Sequence, residues 1–219
     1  MLRDKVIHSL EAVMTAVLFS TQTILNAGWA ISVMSMPLLL YLVYFLKGEA
    51  YPEREIQVLL FSKDFIVGRM IALIGIAVLL PCAAQLLWSR HKGVGLIKTG
   101  AYSMVRHPQF TGIIIVTVGL TVMVLTNSTA SLFQTPVLWL IQILGYIALA
   151  RYEEWRLTKK FGDGYRQYKQ KVPFLFPIKS PSRIPETLFT IFMAILIFIV
   201  LLFLPYDLIR VFSSRLFAD

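Results

Sequence analysis

Long apolar blocks separated by polar or basic connections set the pattern of this chain. A helix that crosses a bilayer needs about 20 mostly apolar residues, with a range of about 17–25. Residues 29–46, 66–87, 110–126, 132–150 and 187–204 each meet that requirement. Pro37 predicts a kink in the first of these blocks, and Arg69 and Pro81 lie towards the ends of the second. Pro136 suits the first turn of its helix, where a missing N–H costs nothing, and Pro205 stops the last block. Residues 6–25 are long enough to span but carry His8, Glu11, Gln22 and several threonines. That segment is either a first transmembrane helix, giving six, or an interfacial helix, giving five, and six is the preferred reading. A cleaved signal peptide fits less well, because no compact leucine-rich core precedes a small-x-small site.

Charge then orients the helices. Residues 89–109 and 151–186 together hold 13 of the 21 Lys and Arg residues, whereas the polar turn at 127–132 has none. Two helices joined by that turn form a hairpin, so both basic stretches emerge on one side, the cytoplasmic one by the positive-inside rule. The connection 47–64 has three basic and four acidic residues and falls on the opposite side by helix count. The chain reads as a single domain over 1–219, with a core motif region at 93–177. The Ser/Pro-rich stretch 180–185 sets off 187–204 as an added C-terminal transmembrane helix.

Composition narrows the class. Of 219 residues, 57% are hydrophobic and only 15% charged, where a soluble domain carries about 25% charged residues. Mean hydropathy is +0.71. The fold class is therefore an all-α integral membrane protein, a polytopic helical bundle with five or six transmembrane helices. Cys82 is the one cysteine, so an internal disulfide and a Cys/His zinc cluster are both excluded. His8, His91 and His107 are never spaced i, i+4, and no metal is expected. The net charge of +9 sits beside membrane segments, which suits anionic lipid headgroups and not nucleic acid. Gly93 and Gly95 form a lone GxG without the strand-to-helix context of a phosphate loop.

Three features exceed what a plain anchor needs. Arg106-His107-Pro108 stands directly before an apolar helix; Pro108 suits its first turn and biases His107 out of helical geometry. The plain alternative is a snorkelling arginine beside an interfacial histidine. Glu153-Glu154 lies where a spanning helix should end, a place the helix dipole disfavours for acids. Continuation of that helix through Lys160 would remove the penalty, and the pair is then either a salt-bridged structural element or an anionic site for a cationic group. Tyr165 and Tyr168 follow Phe161-Gly162-Asp163-Gly164 and precede Val172-Pro173. They read either as an interfacial aromatic belt or as a lid folded over a cytoplasmic pocket.

Taken together, Gly100-x-Tyr102-x-x-x-Arg106-His107-Pro108-x-Phe110, then Glu153-Glu154, Phe161-Gly162-x-x-Tyr165-x-x-Tyr168 and Val172-Pro173, carry a resemblance. They resemble the isoprenylcysteine carboxyl methyltransferase family, with parts shared by related membrane methyltransferases such as the phospholipid N-methyltransferases. The resemblance spans roughly 93–177.

The resemblance alone implies a cytoplasmic cofactor pocket, with S-adenosyl-L-methionine as methyl donor, and a lipophilic substrate that enters from the bilayer. Carried over by position, Val94, Gly95, Leu96 and Ile97 would line the cofactor largely through backbone groups. Tyr102, His107, Pro108, Gln109 and Phe110 would contact it, Glu153 would take the acidic contact, and Glu154 would lie beside it. Arg106 would act as the catalytic residue that orients substrate charge. The acceptor implied is the carboxylate of an isoprenylcysteine; other readings are a phospholipid, small-thiol or quinone-like lipid acceptor, or a non-catalytic membrane subunit that retains the fold. The membrane would be the cell membrane in a prokaryote or the endoplasmic reticulum in a eukaryote.

The pattern also departs from the family. Its substrate-binding arginine falls at Leu149, and Arg151 lies two residues on, roughly 200° around a 3.6-residue helix, which leaves it only a weak stand-in for substrate binding. The nearest counterpart of a cofactor-contacting glutamine is Gln85, Phe110 lacks a tyrosine hydroxyl, and the helix at 187–204 is additional. Cofactor use therefore carries over better than substrate identity.

Overall fold

The computed structural model describes residues 38–39, 61–127 and 133–215. Among them α1 (Ile66–His91), α2 (Pro108–Asn127), α3 (Gln134–Phe161), α4 (Asp163–Lys171), α5 (Glu186–Phe203) and α6 (Tyr206–Arg215) follow in order, with short 3-10 turns at Lys63–Phe65 and Gly100–Ser103. No strand occurs among the described residues. Among the described residues four helical stretches, Lys63–Ser89, Pro108–Thr126, Gln134–Phe161 and Glu186–Phe203, are long and apolar enough to cross a membrane. These correspond to four of the expected spans, and the protein is an integral membrane protein of the all-α class. The block 29–46, apart from the helical Leu38 and Leu39, and the whole of 6–25 lie outside the described residues.

α1 and α2 approach closely because small residues line their seam. A Cβ on Gly75 would sit 2.5 Å from the Val116 backbone N, and one on Gly119 would sit 2.5 Å from both the Ala72 N and the Gly68 O. Such contact lets van der Waals packing drive association where lipid removes the hydrophobic force between helices. The main core forms on the other flank of α2. Phe110, Ile113 and Ile114 meet Trp139, Ile143, Tyr146, Ile147 and Ala150 of α3, Ala194 and Leu201 of α5, and Phe174 and Leu175.

α3 runs eleven residues past Ala150, because the polar continuation contains good helix formers and no breaker until Gly162. There the chain turns at φ +52°, a left-handed conformation that glycine adopts without steric cost. α4 then lies back against α3. After it, the segment at 172–176 crosses the foot of α2. Arg106 N–H donates to Pro173 O at 2.9 Å and Phe174 O at 3.2 Å, and Thr111 Oγ1 donates to Leu175 O at 2.6 Å. The start of α2, the end of α3 and the start of α5 thus share one end of the bundle. α6 packs at the other end, against the Lys63–Phe65 turn and α2.

Gly119→Leu should force the α1–α2 seam apart and cost about 1–3 kcal/mol or more, as overpacking does. Gly164→Ala, whose Cβ meets nothing within 4 Å, is the matched control. Thermal unfolding in detergent should show a lower midpoint for the first variant only; equal midpoints would contradict the close-packed seam.

Candidate functional site

The foot of α2 is built by proline. Pro108 begins the helix, and His107, held outside it, turns its ring inwards. That ring stacks on Phe110 with centroids 5.7 Å apart and meets Phe174 edge-on at 5.4 Å. His107 is 1% exposed and Arg106 3%, so the snorkelling alternative does not hold.

Opposite them stands the acidic pair, on a helix that continues through Phe161. The dipole penalty at Glu153 and Glu154 therefore disappears. Glu154 is 3% exposed and surrounded by cations. Its Oε1 lies 2.8 Å from Arg106 Nη1 and 3.8 Å from His107 Nε2; its Oε2 lies 2.7 Å from Arg151 Nη1 and 3.0 Å from Lys169 Nζ. Glu153 is more open, and its Oε2 lies 3.4 Å from His107 Nδ1.

A third acid completes the arrangement. Glu186, in the first turn of α5, pairs with Arg106 Nη2, and its Oε2 lies 3.7 Å from Arg151 Nη2. Arg106, Glu154, Arg151 and Glu186 form a closed ring of alternating charge. The Phe174 ring faces both guanidiniums, at 5.4 Å from Arg106 and 4.2 Å from Arg151. A buried carboxylate cannot stay ionised without such partners, and here they come from the turn before α2, from α3 itself and from α4.

Burial alone would push the His107 imidazole down in pKa. The hydrogen-bonding carboxylates of Glu153 and Glu154 outweigh it and hold the group above its ordinary value of 6.5. Tyr165 and Tyr168 are buried against Leu96, Leu157 and Phe161, which removes the interfacial-belt reading and leaves them covering the site's flank. Burial, reinforced by the Glu154 charge, pushes the Tyr165 hydroxyl up despite the opposing field of Arg106, so it stays protonated.

The remaining sequence candidates distribute as follows. Leu96 belongs to that tyrosine cluster, and Gly95 faces the Phe161 ring; Val94 is exposed, with its N–H donating to Ser89 O at 2.9 Å, and Ile97 is half-buried. Tyr102 is buried, with its hydroxyl 3.5 Å from Cys82 O and its carbonyl accepting from Tyr168 Oη at 2.5 Å. Gln109 is buried and its Oε1 has no hydrogen-bond partner among the described residues. Gln85 donates to Thr99 O at 3.2 Å, under Gly100. Arg151, expected to be poorly placed, reaches the cluster because α3 stays helical beyond the apolar span. Glu186, Lys169 and Phe174 were not singled out in the sequence. Only Glu186 left a signal there, as the one acid between Asp163 and Asp207, directly after a proline and before an apolar run.

Glu154→Ala should destabilise the protein by about 3–5 kcal/mol, the range for stranding buried charges, and Glu153→Ala by clearly less. Chemical unfolding in detergent checks the order; a larger loss at Glu153 would refute the ring. The raised His107 pKa makes its contribution fully present below about pH 6.5 and lost as pH rises through the higher folded value. The unfolding midpoint of the wild type should therefore fall with rising pH more steeply than that of His107→Asn, and parallel curves would contradict the pairing.

Comparison with known proteins adds a family similarity. Residues 58–144 match the model described as the isoprenylcysteine carboxyl methyltransferase (ICMT) family. Over 89 residues, 41% of this chain, the sequence is 37% identical to protein-S-isoprenylcysteine O-methyltransferase of Schizosaccharomyces pombe, covering 36% of that protein. Over 77 residues, 35% of this chain, it is 39% identical to a probable protein-S-isoprenylcysteine O-methyltransferase of Oryza sativa subsp. indica, covering 38% of that protein. The chain thus matches little more than a third of the length of these curated relatives. No solved structure matches it. The family match contains α1, the Arg106-His107-Pro108 turn, all of α2 and the beginning of α3, and it stops before Glu153. Over residues 58–144, under half of the chain, the sequence is thus similar to the isoprenylcysteine carboxyl methyltransferase family.

Proposed function

We propose that this protein is an S-adenosylmethionine-dependent methyltransferase of the cytoplasmic membrane face, acting on the carboxylate of a lipophilic acceptor such as an isoprenylcysteine. The observation that carries the reading is the packing of the family's Arg-His-Pro turn directly against Glu153 and Glu154. The names of the similar proteins and the four apolar helices among the described residues support the reaction and the membrane setting. The shared basic end of the bundle supports the cytoplasmic side.

The residues present suit such a donor. Glu153 offers a partly open carboxylate for a cationic group, and the orphaned Gln109 Oε1 offers a buried acceptor. Glu154 is different: its cations already satisfy it, so it serves as a positioning residue for Arg106 and His107. His107, Pro108 and Phe110 would wall the site, and the stretch 94–97, whose Leu96 packs against Tyr165 and Tyr168, would close its α3–α4 side. Tyr102 is tied to that cluster through the Tyr168 hydroxyl. When bound, S-adenosylmethionine supplies an electrophilic methyl on a sulfonium whose charge a carboxylate acceptor neutralises on transfer.

This chain's own contribution is alignment and dryness. Oriented reactants can supply about 7–11 kcal/mol of a barrier in favourable cases. Guanidiniums hold a carboxylate by a two-pronged fork that lysine does not reproduce, which gives Arg106 and Arg151 the role of orienting the acceptor. The aromatic faces of Phe110 and Phe174 keep water from the nucleophile.

The full chain in detergent should transfer labelled methyl from S-adenosylmethionine to an S-prenylated cysteine with a free carboxylate. Glu153→Ala should weaken binding of the donor, measured by calorimetry, by roughly tenfold, or about 1.4 kcal/mol. Transfer only to a phospholipid amine or a thiol would replace the acceptor. Absence of donor binding to the wild type would overturn the reading.

A further inference from the structure

The ion ring has a fixed side and a detachable side. Glu154 is held by Arg106, Arg151, Lys169 and His107 and is nearly sealed from solvent. Among the described residues, the Glu186 carboxylate pairs with the outer nitrogens of the two arginines alone, its side chain is 24% exposed, and its contact to Arg151 is the long one at 3.7 Å. Arg151 is itself 26% exposed, so the outer edge of the ring opens outwards.

We propose that Arg106 and Arg151 form a carboxylate-binding slot and that Glu186 is its resting occupant, displaced when an acceptor carboxylate binds. The proposal rests on the methyltransferase reading only for the identity of the incoming carboxylate.

The geometry supports the exchange. With Glu186 withdrawn, Arg106 keeps its 2.8 Å pair to Glu154 and Arg151 its 2.7 Å pair. Neither guanidinium is stranded, and their two outer nitrogens still address one place. Phe174 stays beneath both cations and fixes their planes. The incoming group must be a carboxylate or a similarly forked anion, because it replaces a carboxylate between two forks; a neutral amide would leave charge uncompensated. Glu186 also belongs to the first turn of a helix whose next seventeen residues carry no charge. An anion in this slot therefore lies at the head of an apolar helix, as the polar end of a lipid-tailed molecule would. An internal occupant lowers apparent affinity by the fraction of molecules in which the slot is free. Glu186 thereby sets a threshold that weakly binding anions do not pass.

The test measures equilibrium binding of an S-prenylated cysteine and of its carboxamide to the full chain in detergent micelles, without methyl donor. Glu186→Gln should tighten binding of the carboxylate by about three- to tenfold and leave the carboxamide unchanged. Arg151→Lys should weaken the carboxylate selectively. Unchanged or weaker carboxylate binding in Glu186→Gln overturns the slot, as does equal tightening of both probes. Should Glu186→Gln not fold, Glu186→Asp decides the matter: its shorter arm cannot hold both arginines and should give a smaller tightening of the same sign, whereas no tightening refutes the proposal. Selective tightening without methyl transfer by the wild type would remove the methyltransferase reading and keep the slot. Methyl transfer with no effect of Glu186→Gln would do the reverse.

Discussion

Glu154 is a carboxylate buried at the shared end of three helices, and an isolated charge there would be prohibitively costly to desolvate. The chain meets that cost by bringing cations to it from separate places: Arg106 and His107 from the turn before α2, Arg151 from one turn earlier on α3, and Lys169 from α4. Arg106 and His107 cannot move independently of Glu154, because both are sealed from solvent and departure would leave charge unpaired in a dry setting. The helix feet are therefore locked in register by electrostatics where hydrophobic force is weakest. The neighbouring Glu153, with one face open, inherits a fixed position without bearing the same burden.

Packing below the cluster complements this lock. The glycine seam brings α1 against α2, and the aromatic stack of His107, Phe110 and Tyr146 carries the site's geometry down into the apolar core. Above it, the 172–176 segment binds the turn through backbone hydrogen bonds to Arg106. The site is thus defined by elements far apart in sequence, yet each is anchored by a short, local device: a proline start, a glycine stop or a return loop.

Much of this was legible in the sequence. The four described spans follow from apolar length alone, and Pro108, Pro136 and Pro205 mark helix ends as expected. The juxtaposition of His107 with Glu153 followed from the hairpin, since an uncharged turn between basic feet brings those feet together. Other parts were not legible. Hydropathy ends α3 at Ala150 because it registers apolar content, whereas helix formation continues through the charged residues to Phe161; that extension is what places Arg151 and Glu154 on one face. Glu186 is eighty residues from Arg106, and nothing local announces such a pairing. The inward direction of Tyr165 and Tyr168 depends on the turn at Gly162, which composition cannot resolve between belt and cover.

In the proposed reading the two adjacent acids divide their labour, Glu154 holding the structure and Glu153 meeting the ligand. The most direct measurement is an experimental structure of the full chain with S-adenosylhomocysteine, the demethylated form of the donor. The account predicts the ligand beside Glu153 and His107, with Glu154 still paired to Arg106 and Arg151. A ligand seated elsewhere, or Glu154 released from its arginines to hold it, would contradict the account.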